Sequence, residues 1–369
     1  MSKFIMVGDD LHEDSMLLKI AADRGPAEKQ SFGNTPSGRR ALIGYLRGRS
    51  AGAGGAWVVI AYEASGLGFN FRDEMTAAGF TCHVLAPTRI ARSPRHRRQK
   101  CDEKDADRLL ELLRGHLLAG NELPTVWVPD AQTRDDREVV RARMDLTGKA
   151  TAVKTQIRTL LKRNGIEKPS GLERGWGARF RAWLQGLAGP RGRLRGGARC
   201  ALGTLLRQLG ALEEELGRLD RHIEKLAAQP RHAAAVRALD AVPGVGLLLA
   251  VGFVTEMGAL NRFGNRKQVG AFLGLVPASH ESGDGDDRKG HITHQGSWRL
   301  RRLLCQGAWA RVRHDPGEGA VYARLVERNP KHKKIAVVAC MRRLAVLLWH
   351  LGRNAQGQAP PREKHPLAA

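Results

Sequence analysis

The apolar residues change their spacing at Pro129, so one layered architecture cannot serve the whole chain. Before that proline, apolar or β-branched runs at residues 4–7, 57–61, 83–86 and 125–128 are bounded by Gly, Pro or Asp, which predicts strands. Helical stretches near 37–49 and 102–113 separate some of them. Residues 1–130 therefore read as an α/β domain. Beyond Pro129 the period becomes helical. Val139, Leu146, Val153 and Leu160 repeat every seven residues, with Ala150 and Ile157 between them. A second array, Leu202, Leu205, Leu209, Leu212, Leu216, Leu219, Ile223 and Leu226, keeps an unbroken three-four spacing. Such a seam faces a partner helix, whether in the same chain or in a coiled-coil dimer; a plain amphipathic helix is the alternative. The expected fold class is α/β plus α, with a helical coiled-coil segment over 131–229, a mostly helical domain over 230–353 and a disordered tail over 354–369.

Charge narrows the partners. The 369 residues carry 61 Lys plus Arg against 37 Asp plus Glu, a formal net charge of +24, which makes nucleic acid the leading ligand. The start of the chain reaches Asp9 and Asp10 after a few apolar residues, and no stretch approaches 18 uncharged apolar residues, so a cytoplasmic, nucleoid-associated protein without a membrane partner is expected. Five scattered cysteines form no CxxC pair, and His280, His291 and His294 lack a clear fourth ligand, which argues against structural zinc. Between the heptad arrays, Trp176, Phe180 and Trp183 are interleaved with Gly and Arg, a composition that suits either base stacking with phosphate contact or a solvated linker.

Four acids stand out against this basic background. Asp10 follows one apolar run, Glu63 follows another, and Asp102 with Asp105 open a leucine-rich helix. Two strand-end acids and an acidic helix are what a two-metal phosphoryl-transfer site needs, with Mg²⁺ or Mn²⁺ ions about 4 Å apart. Asp102 and Asp105 are three apart and share one helical face with Leu109 and Leu112. Helix capping by Asp102 and Asp105 is the competing explanation, and it leaves Asp10 and Glu63 unaccounted for.

The segments VGDDL, AYEASG and KCDEKDADRLLELL resemble the strand Asp, the Glu-x-Ser/Thr-Gly motif and the Asp-x-x-Asp-Ala helix of the DEDD transposases of insertion-sequence family one-ten, relatives of the Piv-type invertases. The resemblance runs from about Lys3 to Leu348. It implies an RNase H-like, RuvC-like N-terminal domain with Asp10, Glu63, Asp102 and Asp105 as metal ligands. Two departures stand out: Asp9 precedes Asp10 where the family usually has an apolar residue, and Cys101 replaces a common Thr. Strand alternation lets only one of Asp9 and Asp10 face the metals, and its spacing from the apolar run favours Asp10.

Downstream, residues 239–246 read as a helix-hairpin-helix-like turn in which Gly244 and Gly246 let the backbone approach a DNA phosphate. A Pro-Gly loop opening a buried helix is the alternative. The following block, GAFLGLVPASHESGDGDDRKGHITHQGSWRLRRLL, resembles the second conserved block of the same family, in which a serine after the Pro turn becomes joined to DNA. Ser282 best matches that position and Ser279 is the runner-up. Arg299, Arg301 and Arg302 supply phosphate-binding charge, and the stretch 89–100 is a second basic segment.

The expectation is a three-part transposase and DNA recombinase: a catalytic domain over 1–130, the helical segment over 131–229 and a serine-bearing DNA-binding domain over 230–353. The resemblance further implies donor and target DNA as substrates, a noncoding bridge RNA as guide, and a homodimer or homotetramer. A hydrolytic RuvC-like nuclease and a non-catalytic nucleic-acid-binding protein are the competing functions. Loss of activity on removing Ser282 separates the first, and indifference to Mg²⁺ identifies the second.

Overall fold

The computed structural model describes residues 3–90, 102–172, 175–280 and 288–357, and it forms two compact units, 1–128 and 129–369. In the first unit, β1 (Phe4–Leu11), β2 (Ser15–Ala22), β3 (Glu28–Gly33), β4 (Trp57–Glu63) and β5 (Thr81–Leu85) build one mixed sheet in the order β3-β2-β1-β4-β5. Pairs β1–β2 and β2–β3 are antiparallel, whereas β1–β4 and β4–β5 are parallel. The parallel pairs need crossovers, which α1 (Pro36–Gly52) and α2 (Asn70–Ala77) provide. Thr35 caps α1 by accepting from the Gly38 amide, and Pro36 fits the first turn.

Alternation along the strands sorts two cores. Ile5, Val7, Val58, Ile60 and Tyr62 face Leu42, Leu46, Phe71 and Met75 of α1 and α2. Phe4, Met6, Val59 and Ala61 face Leu109, Leu110 and Leu113 of α3 (Asp102–Ala119). Close approach of α3 depends on Gly8. A Cβ there would fall 2.3 Å from the Ala106 carbonyl oxygen and 2.5 Å from the Leu110 nitrogen.

Several expectations are corrected. The sheet contains β2 and β3, which the sequence reading passed over. Residues 125–128 form no strand, and Thr125 makes a single isolated bridge to Leu85. Flanking Pro124 and Pro129 have no amide hydrogen to extend a ladder.

The second unit opens with α4 (Ala131–Arg163), started by Asp130, whose side chain accepts from the Thr133 amide. It pairs with α6 (Gly196–Ala228), each spanning 33 residues or about 50 Å. Ion pairs Arg143–Asp220 and Lys154–Glu213 advance in opposite directions along the two helices, so they run antiparallel within one chain. Their seam buries Ala150, Val153, Ile157 and Leu160 with Leu202 and Leu209. α5 (Ala178–Ala188) closes this core. Here the solvated-linker alternative for the basic-aromatic segment is corrected. Phe180 is buried, Trp176 and Trp183 pack on it, and Lys154 and Arg158 lie over the Trp176 ring. A cavity of ≈350 Å³ beside them is lined by Arg158, Lys162, Lys168, Phe180 and Trp183.

α4 also enters the second core through Val140 and Met144. That core centres on α8 (Leu247–Met257), buried from Leu249 onward, and is surrounded by α7 (Pro230–Asp240), α9 (Arg266–Phe272), α10 (Trp298–His314), α11 (Pro316–Arg328) and α12 (Lys333–Ala355). Strands β6 (Pro277–His280) and β7 (Arg288–Ile292) form a separate antiparallel pair. The span Pro330–Ala355, which contains α12, has the length and mean hydropathy, 1.6, of a membrane-crossing helix. Its apolar side chains Cys340, Met341, Leu344, Ala345, Leu348 and Trp349 are buried in this core.

Candidate metal centre

The parallel register of β1 and β4 pairs Gly8 with Ala61 and Asp9 with Tyr62. One residue further, Asp10 and Glu63 lie side by side at the carboxyl ends of neighbouring strands, and alternation puts both on the face that α3 covers. Helix α3 buries Ala106, Leu109, Leu110 and Leu113 against that face, so Asp102 and Asp105 belong to its sheet-facing side.

These elements bring Asp10 and Asp102 together around a residue the sequence reading missed. His12 Nε2 lies 2.9 Å from Asp10 Oδ2 and 3.6 Å from Asp102 Oδ1. The three donor atoms lie within 4.8 Å of one another, the one such His/Cys/Asp/Glu grouping among the described residues. Glu63 and Asp105 flank it by register and helix position but fall outside that grouping; Asp105 lies 3.9 Å from Arg108. His12 carried no spacing signal, because it sits in the turn between β1 and β2. Only its position two residues after Asp10 could have marked it.

The acidic start of α3 divides by face. Glu103 and Asp107, four apart, turn to β2 and β3: Lys19 Nζ lies 2.7 Å from Glu103 and 3.4 Å from Asp107, and Lys29 Nζ lies 3.0 Å from Glu103. Hydrogen bonds from Lys19 and then Lys29 hold the Glu103 carboxyl down at about 2. Asp102 lies on the other side, in the group with Asp10 and His12, and Asp105 follows it three residues along the helix. Capping of α3 is therefore not the whole account of its acids.

Asp9 points the opposite way. Its side chain is 0 % exposed, and neither carboxylate oxygen has a hydrogen-bond partner among the described residues. Burial, with the charge of Asp10 second, pushes its carboxyl well above the usual range. The Tyr62 side chain on the same face of the sheet is likewise buried, and burial raises the pKa of its hydroxyl. An acid here occupies an apolar position in the α1/α2 core.

In the second unit, Gly244 has φ +82°, and a Cβ on it would meet the Arg311 nitrogen at 2.9 Å and the Gly307 carbonyl oxygen at 3.0 Å. Its missing side chain lets the α7–α8 turn lie on α10. Gly246 caps α8, and a Cβ there would enter open space. Arg299 forms a two-pronged ion pair with Asp145 of α4, at 2.7–3.0 Å. Arg301 donates to the carbonyls of Leu273, Gln295 and Gly296, and burial lowers its pKa. Both guanidiniums are thus engaged in holding the unit together, whereas Arg302 forms no ion pair among the described residues. Ser279 lies in β6 opposite Lys289. Ser282 and the acids Asp284, Asp286 and Asp287 lie outside the described residues, as do Cys101 and most of the basic stretch from Arg89.

Comparison with known proteins bears on this geometry. Residues 7–165 match the DEDD transposase model of the IS110 type, and residues 236–323 match the transposase IS116/IS110/IS902 family. The protein y4rJ of Sinorhizobium fredii, which carries a transposase name, is 30% identical over 309 residues, covering 79% of this chain and 76% of that protein. The transposase for insertion sequence element IS1111A of Coxiella burnetii is 25% identical over 296 residues, covering 79% and 77%. A DEDD transposase domain implies a RuvC-like fold, and the first unit carries the corresponding mixed α/β sheet. The chain therefore belongs to the DEDD transposases of the IS110 family and is a DNA transposase.

Proposed function

We propose that this transposase cuts and rejoins DNA strands at a divalent-metal centre held by Asp10, Glu63, Asp102 and Asp105, with Ser282 as nucleophile. The observation that carries the reading is the meeting of Asp10 and Asp102 across β1 and α3, beside Glu63, within a chain of net charge +24. Carboxylate oxygens are the hard donors that Mg²⁺ and Mn²⁺ prefer, and the group fits such an ion. A divalent cation there supplies charge stabilisation to the attacking and leaving oxygens of phosphoryl transfer. The β1–β4 register fixes the spacing of the strand acids, and the Lys19–Glu103 pair orients α3.

In the proposed reaction, the Ser282 hydroxyl oxygen bonds to phosphorus while a strand P–O bond breaks, and the departing oxygen leaves as a hydroxyl carrying the serine's proton. The phosphodiester is conserved as a phosphoserine ester, so rejoining needs no energy source. Exposed Lys331, Lys333 and Lys334 provide phosphate contacts, with Arg302. The cavity between Lys162, Lys168 and Trp183 suits a nucleotide of a guide RNA from the same element. Assembly as a homodimer or homotetramer, the acids of one protomer acting with the serine of another, completes the reading, as does action at the bacterial nucleoid.

The test is a pair of variants. Ser282→Ala loses the covalent protein–DNA adduct and recombination, and Ser279→Ala keeps both. An adduct persisting in Ser282→Ala on denaturing gels removes the serine from the mechanism. Partial cleavage in mixtures of Asp10→Ala and Ser282→Ala proteins supports the shared site, and RNA sequenced from the purified protein tests the guide.

A further inference from the structure

We propose that His12 is a direct metal ligand, making a mixed nitrogen–oxygen centre that takes Mn²⁺ in preference to Mg²⁺. The inference rests on the metal-centre reading above and adds to its four acids a donor of different chemistry. One atom, Nε2, faces both carboxylates, at 2.9 Å from Asp10 and 3.6 Å from Asp102. An octahedral ion with ligands at about 2.1 Å separates adjacent donors by about 3.0 Å and opposite donors by about 4.2 Å. The two separations therefore lie at the edge of and inside the span a single cation imposes, and a cation can replace the hydrogen that Nε2 and Asp10 now share.

His12 is also braced. Its amide donates to the Ser15 carbonyl at 2.8 Å, and its own carbonyl accepts from Asn34 Nδ2 at 2.7 Å. Asn34 Oδ1 in turn accepts from Arg39 at 2.8 Å, and Arg39 pairs with Glu74 of α2 at 2.6 Å. A surface histidine serving only solubility needs no such chain of supports, whereas a ligand gains from having its backbone fixed before the ion arrives. The imidazole ring is 35% exposed, open enough for an ion to enter. Imidazole is a borderline donor. Mg²⁺ dehydrates reluctantly and favours oxygen, while transition ions bind nitrogen more readily, so a nitrogen in the set shifts preference toward Mn²⁺.

The experiment uses the full-length protein, Mn²⁺ alone as probe, and electron spin-echo envelope modulation, which detects nitrogen bonded to the ion. Wild type is expected to show ¹⁴N modulation, converted to the ¹⁵N pattern by labelled histidine. His12→Gln is expected to bind Mn²⁺ without that modulation and about tenfold more weakly, with a smaller change for Mg²⁺ measured by competition. If wild type lacks the nitrogen signal, or if the signal survives in His12→Gln, while Asp10→Asn abolishes binding, His12 is only a hydrogen-bond partner and the carboxylate centre stands. If Asp10→Asn binds Mn²⁺ as wild type does, the metal-centre reading falls and this inference with it.

Discussion

The two units differ in how their acids are grouped. In the second unit, acids meet cations: Asp136 meets His232, Asp145 meets Arg299, Asp220 meets Arg143, and Glu256 meets Arg141. In the first unit acids also meet cations, Glu28 with Arg49 and Glu74 with Arg39, but Asp10, His12 and Asp102 in addition bring their donor atoms within 4.8 Å of one another, beside Glu63. Helix α3 contains its own control, because Glu103 and Asp107 on the adjoining face are matched by Lys19 and Lys29. Carboxylate oxygens and an imidazole nitrogen brought to one point are a donor set suited to a multivalent cation.

The largest effect expected from this contrast is on activity. Asp10→Asn or Asp102→Asn should lower strand cleavage about 10³-fold or more while nucleic-acid binding changes little, since the basic surface is intact. Cleavage assays beside binding titrations check this. Glu63→Gln and Asp105→Asn should do the same, although they stand outside the tight group.

Next comes stability. Asp9→Val should raise stability at neutral pH by roughly 1–3 kcal/mol, because it replaces a buried acid without partners by an apolar group. Burial lifts the folded carboxyl above its unfolded value. The pH-dependent part of the penalty is therefore absent below the ordinary carboxylate range and grows as pH rises above it, while burial of the neutral carboxyl still costs in acid. Thermal melts should show the two proteins converging in acid and diverging toward neutrality; a constant gap would contradict the assignment.

Lys19→Ala, a smaller perturbation, should weaken cleavage about tenfold by loosening α3, the size expected for an outer-shell support. Raised Mg²⁺ or Lys19→Arg should restore much of it. The smallest effect is expected across Arg299–Asp145, where the partly exposed pair is worth under about 1 kcal/mol. The Asp145 carboxyl is held low by Arg299, so this contribution is present above the ordinary carboxylate range and fades as pH falls through it. Arg299→Ala should abolish that fading. A loss of DNA affinity far exceeding the loss of stability would assign Arg299 to phosphate contact.

What the sequence disclosed follows from which signals are local. β1 and β4 were legible because buried strands are apolar runs ending in an acid. β2 was hidden by Lys19 and its ion pairs, and β3, with the edge sequence Glu-Lys-Gln-Ser-Phe-Gly, shows no apolar alternation. The heptads disclosed α4 and α6, yet the seam looks the same whether its partner is in the chain or in another, and only the folded chain shows the antiparallel pair. Trp176 and Phe180 were ambiguous because cation–aromatic composition is shared by nucleic-acid surfaces and by cores roofed with Lys154 and Arg158. At the site, alternation told only that Asp9 and Asp10 face opposite sides of the sheet; which side α3 covers came from the fold. His12 was invisible because nothing in the sequence tells where a turn will aim a side chain.

The central claim, that converging acids of β1 and α3 exist to hold a divalent cation, is tested most directly by anomalous diffraction from crystals of the transposase soaked in Mn²⁺. The account predicts a strong anomalous peak bounded by Asp10, His12 and Asp102, absent in crystals of Asp10→Asn. Well-ordered density for those side chains with no peak between them, at Mn²⁺ concentrations that support cleavage, would contradict it.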